Sequence, residues 1–201
     1  MIEDPHAETA DWLTRQSQPA EEHRVFRVAQ LAILLGEVAT KKPIDLERLG
    51  YYDFFAANPF AVVGQEDSHD RARLHRAAFD ERQLAYASTG SRFANRRRRL
   101  QHDVALLVAY GLAERRGDGY AQTDRGGEFV NQMTALYVDQ YRESVRVVHA
   151  HLKNLSPTQL TTAAQKWLRS PSLVLDLYGS GDDTAPGDSE GAHAGGGHGT
   201  K

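Results

Sequence analysis

NRRRRLQHDVALLVAYGLAERRGDGYAQTDRGGEF, residues 95–129, holds three local signals in a fixed order: a helix, a tight hairpin and a second helix start. Leu100, Val104, Leu107, Val108 and Gly111 recur on one face of a helical wheel, with Asn95 placed as N-cap and Arg96–Arg99 in the first turn. On that wheel Arg98 points farthest from the Leu100/Val104 face, Arg97 and Arg99 flank it, and Arg96 lies nearest the core side. Ala113–Arg116 and Tyr120–Gln122 then form two short extended runs. Gly117-Asp118-Gly119 joins them, and glycines there accept the positive φ of a hairpin turn. Thr123 can cap a new helix through its hydroxyl. Its apolar residues Phe129, Val130, Met133, Tyr137, Tyr141, Val145, Val148 and Leu152 predict one long helix, reaching about 45 Å at a rise of about 1.5 Å per residue.

Upstream, Val25, Val28, Ala29, Ala32 and Leu35 recur at helical spacing, with Phe26, Ile33 and Leu34 making the other faces apolar, so this helix is expected in the core. Pro43 interrupts the chain and Asp45 is placed to cap a second helix through Leu46 and Leu49, ending near Asn58-Pro59. The aromatic group Tyr51, Tyr52, Phe54, Phe55 and Phe60 is assigned to the core. Arg71–Leu84 forms a further amphipathic segment before Ser88-Thr89-Gly90-Ser91 breaks the pattern. Downstream, Ser156-Pro157-Thr158-Gln159 combines a serine cap, a proline in the first turn and a glutamine three residues beyond the cap. Leu160, Ala163, Ala164, Trp167 and Leu168 follow on the inner face of that helix.

These signals give a mainly α fold: a winged helix-turn-helix with an insertion between helices 2 and 3, a small β-hairpin wing, a long helix after the wing and a C-terminal helix. The expected organisation is a flexible N-terminal arm (1–20), a winged-helix domain (21–155) with its insertion at 59–92, a C-terminal helical extension (156–178) and a disordered tail rich in Gly, Asp and His (179–201).

Composition narrows function. The 201 residues include no cysteine, which removes disulfide scaffolds, thiolate metal sites and thiol catalysis. The first residues, Met1-Ile2-Glu3-Asp4-Pro5-His6, lack the basic start and apolar run of a signal peptide, and no segment has the length of a membrane span, so a cytoplasmic location is expected. A net charge of −3 gives no global attraction to nucleic acid, but the basic residues are clustered. Arg92, Arg96, Arg97, Arg98, Arg99, Arg115, Arg116 and Arg125 make a candidate anion-binding surface. Nucleic acid, double-stranded DNA included, is favoured, and an acidic protein surface is its main competitor. Arginines at a helix N-terminus oppose the helix dipole, a conflict that an anionic partner would relieve.

Other chemistry is weak. His149 and His151 sit two apart on a helix and diverge, and the tail histidines His193 and His198 have no rigid surroundings. No metal or cofactor is therefore expected. No nucleophile-elbow, zinc-protease or dinucleotide motif occurs, so no enzyme activity is expected either. The stripe Met133, Tyr137, Tyr141, Val148, together with Trp167, is the candidate partner interface, because a projecting helix of that length needs cover from the C-terminal helix or from a second chain.

Asp53-Phe54-Phe55-Ala56-Ala57-Asn58-Pro59-Phe60, Leu106-Leu107-Val108-Ala109-Tyr110-Gly111-Leu112, Gly119-Tyr120 and Thr123 with Gly126-Gly127-Glu128-Phe129-Val130 together resemble the small middle component of bacterial ABC-three-component defence systems, which overlap the Lamassu group. The similarity runs over residues 24–178. It implies a non-catalytic subunit bridging an SMC/Rad50-like ATPase and an effector in sensing foreign DNA, a hetero-oligomer rather than a homodimer. The family offers no catalytic residues to transfer, and the Arg96–Arg99 run leaves direct DNA contact open. The alternative is a homodimeric winged-helix transcriptional regulator that binds promoter DNA.

Overall fold

The computed structural model describes residues 23–39, 42–81 and 88–169. The N-terminal arm, the apolar piece Leu173–Tyr178 and the Gly-rich tail fall outside the described residues. Within them lie seven α-helices and a small three-stranded antiparallel sheet.

Helix α1 (Arg24–Val38) is the central element, with Leu31, Ala32, Ile33, Leu34 and Leu35 all buried. A helix apolar on every face requires neighbours on every face; here the helices Thr89–Ala109, Asp124–Asn131 and Leu136–Leu152 surround it together with the strand Gly119–Gln122. The chain then forms strand β1 (Ile44–Asp45). Asp45 caps helix α2 (Leu46–Ala57), its carboxylate accepting from the Arg48 N–H at 2.7 Å. Asn58-Pro59 ends α2 where the pre-proline rule places the end.

A 3-10 turn (Pro59–Ala61) and helix α3 (Ser68–Arg76) fill the insertion. The helix is shorter than the amphipathic pattern of Arg71–Leu84 suggests. It stops at Ala78, whose φ of +59° places a non-glycine residue in the left-handed region. The Ala78 N–H reaches the His75 carbonyl at 2.9 Å and the Phe79 N–H reaches Leu74 at 3.0 Å, the paired bonds of a Schellman stop. Because Ala pays a steric penalty there that Gly does not, Ala78→Gly should stabilise the protein by about 1 kcal/mol in urea unfolding.

Helix α4 (Thr89–Ala109) begins earlier than expected. Ser88, not Asn95, is its cap, accepting from the Ser91 N–H at 3.2 Å. The four arginines therefore lie two turns inside the helix, and the dipole conflict inferred for them does not arise. The helix closes through Gly111 (φ +70°), with Leu112 N–H bonded to the Leu107 carbonyl at 3.0 Å.

Strands β2 (Ala113–Arg116) and β3 (Gly119–Gln122) form the expected hairpin around Gly117, φ +60°. Strand β1, too short to announce itself in sequence, adds to its free edge, Ile44 opposite Tyr120, giving the order β1-β3-β2. Thr123 caps helix α5 (Asp124–Asn131): its oxygen accepts from Gly126 N–H at 3.0 Å and its hydroxyl donates to the Gly111 carbonyl at 2.6 Å. This cross-link lets α5 pack tightly against the exit of α4. A Cβ on Gly126 would sit 2.0 Å from the Leu112 carbonyl oxygen. Gly126→Ala should thus displace the joint, at a cost of roughly 1–3 kcal/mol in unfolding free energy.

The single long helix predicted after the hairpin is two helices, α5 and α6 (Leu136–Leu152). Apolar spacing continues across the break, which is why periodicity did not reveal it. The Val130 carbonyl freed by the break accepts from the Arg142 guanidinium at 3.0 Å. Helix α6 packs against α1 and α2. Tyr141 and Val148, assigned to a partner interface, are instead buried in the chain's own core. At its end, Arg48 donates to the carbonyls of Leu152 at 2.7 Å and Leu155 at 3.0 Å. Helix α7 (Pro157–Leu168) starts with the full Ser156/Gln159 capping box. Trp167 meets Phe55 edge-to-face at 5.3 Å. No helix among the described residues is long and apolar enough to cross a membrane.

Candidate nucleic-acid interface

The exposed face of α4 is defined by what holds its opposite face. Arg96, Leu100, Asp103, Val104 and Leu107 are buried. Two of these five are charged, and both belong to one ionic cluster joining α1, α2 and α4. Asp53, completely enclosed, takes a bidentate pair from Arg27, with both N–O distances 2.9 Å. From the other side Arg96 donates through Nε at 2.8 Å and Nη2 at 3.1 Å. Arg27 Nε also bonds Asp103 at 3.1 Å. The Gln30 carbonyl oxygen accepts from Arg27 at 3.0 Å and Arg96 at 3.1 Å, while its amide donates to the Tyr137 hydroxyl at 2.5 Å.

Two arginines and two aspartates make the cluster neutral, which burial demands. Burial alone would push the Asp53 carboxyl up. The guanidiniums of Arg96 and Arg27 outweigh that effect and hold it at about 2. A carboxyl depressed below its unfolded value of about 3.9 stabilises the fold above that pH. Its contribution should be complete at neutral pH and be lost between about pH 4 and about pH 2, read as a fall in the urea midpoint across that window.

The cluster corrects one site assignment. Arg96 is 7% exposed and is a positioning residue for α4, not part of an external surface. Arg92 is half-buried and donates to the Asn58 side chain. It lines a cavity of about 410 Å³ together with Phe60, Gln140, Tyr141 and Trp167.

The other three α4 arginines are exposed. Arg97 lies over the rings of Tyr51 and Phe93, 5.9 Å from each centroid, and 3.4 Å from Glu47. With its side chain 45% exposed and that of Glu47 59% exposed, this pair is weak in water. Arg98 bonds the Asn95 amide oxygen. Arg99 makes no ion pair among the described residues.

On the hairpin, Arg115 and Arg116 are both exposed but project from opposite faces of the sheet, being adjacent on a strand. Arg116 pairs with Glu114 at 2.6 Å, and Arg115 donates to the Gly117 carbonyl at 3.1 Å. Arg125 lies beside Gly111 at the far end of α4, about 18 Å along the helix from Arg99. The arginines named in sequence thus separate into a central group on α4, two on the hairpin and one at the α4 exit. They do not form one dense patch.

Of the residues assigned to a partner interface, Tyr141 and Val148 are core. Tyr137 stacks on Tyr141 at 5.8 Å and contacts Phe26 at 5.1 Å. Met133 and Trp167 pack partly buried against the core. Tyr141 and Val148 thus lie within the chain's own core, where α6 packs on α1 and α2, while Met133, Tyr137 and Trp167 keep part of their surface exposed.

Sequence reading missed Arg27, Gln30, Asp53 and Asp103. Their signal was present as charged and amide residues inside otherwise apolar runs, such as Asp53 between Tyr52 and Phe54. Among the described residues no group of three His, Asp or Glu side chains could hold a metal ion.

Comparison with curated proteins and with solved structures returns no match. The family model for the ABC-three component (ABC-3C) system Middle Component 2 matches residues 27–171, from the buried Arg27 of α1 to just beyond α7, and the chain belongs to that family.

Proposed function

We propose that this middle component is a non-catalytic, cytoplasmic accessory subunit that bridges an SMC/Rad50-like ATPase and an effector in a Lamassu-like anti-phage complex, and that it touches duplex DNA through a winged-helix surface. The order α1, β1, α2, α4, β2, β3, with β1 added to the hairpin, supports the winged-helix reading. Helix α3 is the insertion between the second and third helices of that motif. Membership in a three-component family supports obligate partners.

The observation that carries the DNA reading is the orientation of α4. Its buried ionic face fixes the rotation of the helix, and Arg97, Arg98 and Arg99 consequently face outward. Guanidinium N–H donors of this kind suit phosphate oxygens, and long-range attraction to the duplex follows from their charge.

Affinity purification of the tagged full chain from its native host tests the assembly. Recovery with an SMC-like ATPase supports the bridging role. A lone monomer contradicts it, and a homodimer favours the transcriptional-regulator reading instead.

A further inference from the structure

We infer that α4 reads base edges in the DNA major groove through Arg98, Gln101 and His102, so that this middle component has a sequence preference. This rests on the DNA reading above and adds specificity to it.

With about 100° of turn per residue, Arg98, Gln101, His102 and Ala105 fall within one exposed sector of α4. All four are solvent-exposed, and the sector lies opposite Leu100, Asp103, Val104 and Leu107, which are buried. Arg97 and Arg99 stand on either side of it, both exposed. The sector therefore carries hydrogen-bonding side chains along its middle with a cation on each flank, the layout of a helix lying between two phosphate strands. A helix of about 10–12 Å diameter fits a groove about 12 Å wide only if its leading face is lean. Ala94, Ala105 and Ala109 keep it so, all exposed and on the same side.

The side-chain chemistry separates bases from a generic polyanion. Arg98 can give a bidentate pair to guanine O6 and N7, and the Gln101 amide matches adenine N6 and N7. An acidic protein surface would engage the cations foremost, whereas a duplex uses the flanking cations on its phosphates and the central amide on a base edge together. The only acidic residue of α4, Asp103, is turned inward onto Arg27, so nothing on the helix repels the groove. The buried cluster holds this sector in a single rotation, which base recognition requires.

The test is selection of the full chain against a randomised duplex pool, followed by fluorescence anisotropy on the enriched sequence and on a scrambled one. The wild type should enrich a short motif. Arg98→Ala with Gln101→Ala should cut the preference for that motif roughly tenfold or more while leaving scrambled-duplex binding largely intact. Arg97→Ala with Arg99→Ala should weaken both duplexes alike and lower the salt slope by about 1.8. Melting temperatures within a few degrees of the wild type, the Arg97 variant losing only its contacts with Tyr51 and Phe93, exclude misfolding. Salt-dependent binding with no enriched motif would overturn base reading and leave the DNA contact standing. Binding to polyglutamate but to no duplex would overturn both.

Discussion

Asp53→Ala should lower the unfolding free energy by roughly 3–5 kcal/mol, as much as truncating a large buried core side chain. The aspartate is the common acceptor of Arg27 and Arg96, both buried, and four charge-assisted bonds end on its two oxygens. Removing it strands two guanidiniums in the interior, of which Arg27 retains Asp103 as a partner and Arg96 retains Gln30. Domains of this size are stable by about 5–15 kcal/mol, so the variant should be close to unfolding at ambient temperature. Asp53→Asn keeps the shape and removes the charge, and it should be nearly as damaging, because an amide offers one acceptor oxygen where the carboxylate has two. Urea denaturation of both variants measures the effect. A loss below about 1 kcal/mol would mean that the cluster is relaxed by water and does not fix α4.

Replacing Arg97, Arg98 and Arg99 together by alanine should act in the opposite manner, sparing the fold and removing the binding. Near 0.1 M salt each lost phosphate contact costs close to tenfold, so loss of Arg97 and Arg99 should lower affinity for any duplex roughly 100-fold and the salt slope by about 1.8, and loss of Arg98 should remove about a further tenfold on the preferred motif. Stability should change by at most about 1 kcal/mol, most of it from lifting Arg97 off Tyr51 and Phe93. Arg96→Ala is the informative contrast. Its side chain is buried in the cluster, so it should weaken the fold by several kcal/mol.

Much of the architecture was legible in the chain because its local signals are strong. Asp45, Thr123 and Ser156 each cap the helix they precede. Gly117 sits at the turn of the hairpin, and Pro59 ends α2 where expected. Those readings depend only on bonds within three or four residues. What failed depends on tertiary partners. Asn95 has the chemistry of a cap, yet the helix runs through it because Ser88 offers the same chemistry about two turns earlier. The stripe from Met133 to Val148 looked like a face awaiting a partner. It is covered in part by α1, a contact spanning more than a hundred residues, as in the bond from Gln30 to Tyr137. β1 was invisible because two residues cannot establish a strand period.

The candidate site divides along the same line. Helical spacing placed Arg97, Arg98 and Arg99 on the outer face and Arg96 nearest the core side, and the structure agrees on all four. That the core side of Arg96 holds a buried acid could not be read from spacing, since Asp53 lies 43 residues away. Gln101 and His102 were passed over because neither is charged, although their position on α4 follows from the same wheel.

Photo-cross-linking from a probe at position 101, with the middle component assembled with its partner subunits on duplex DNA, tests the orientation of α4 most directly. A probe replacing Gln101 should label DNA, while one replacing the exposed Leu136 at the start of α6 should not. Cross-links from position 101 to a protein subunit, with the duplex unlabelled, would show that the arginine face of α4 serves a protein partner and would contradict the nucleic-acid reading.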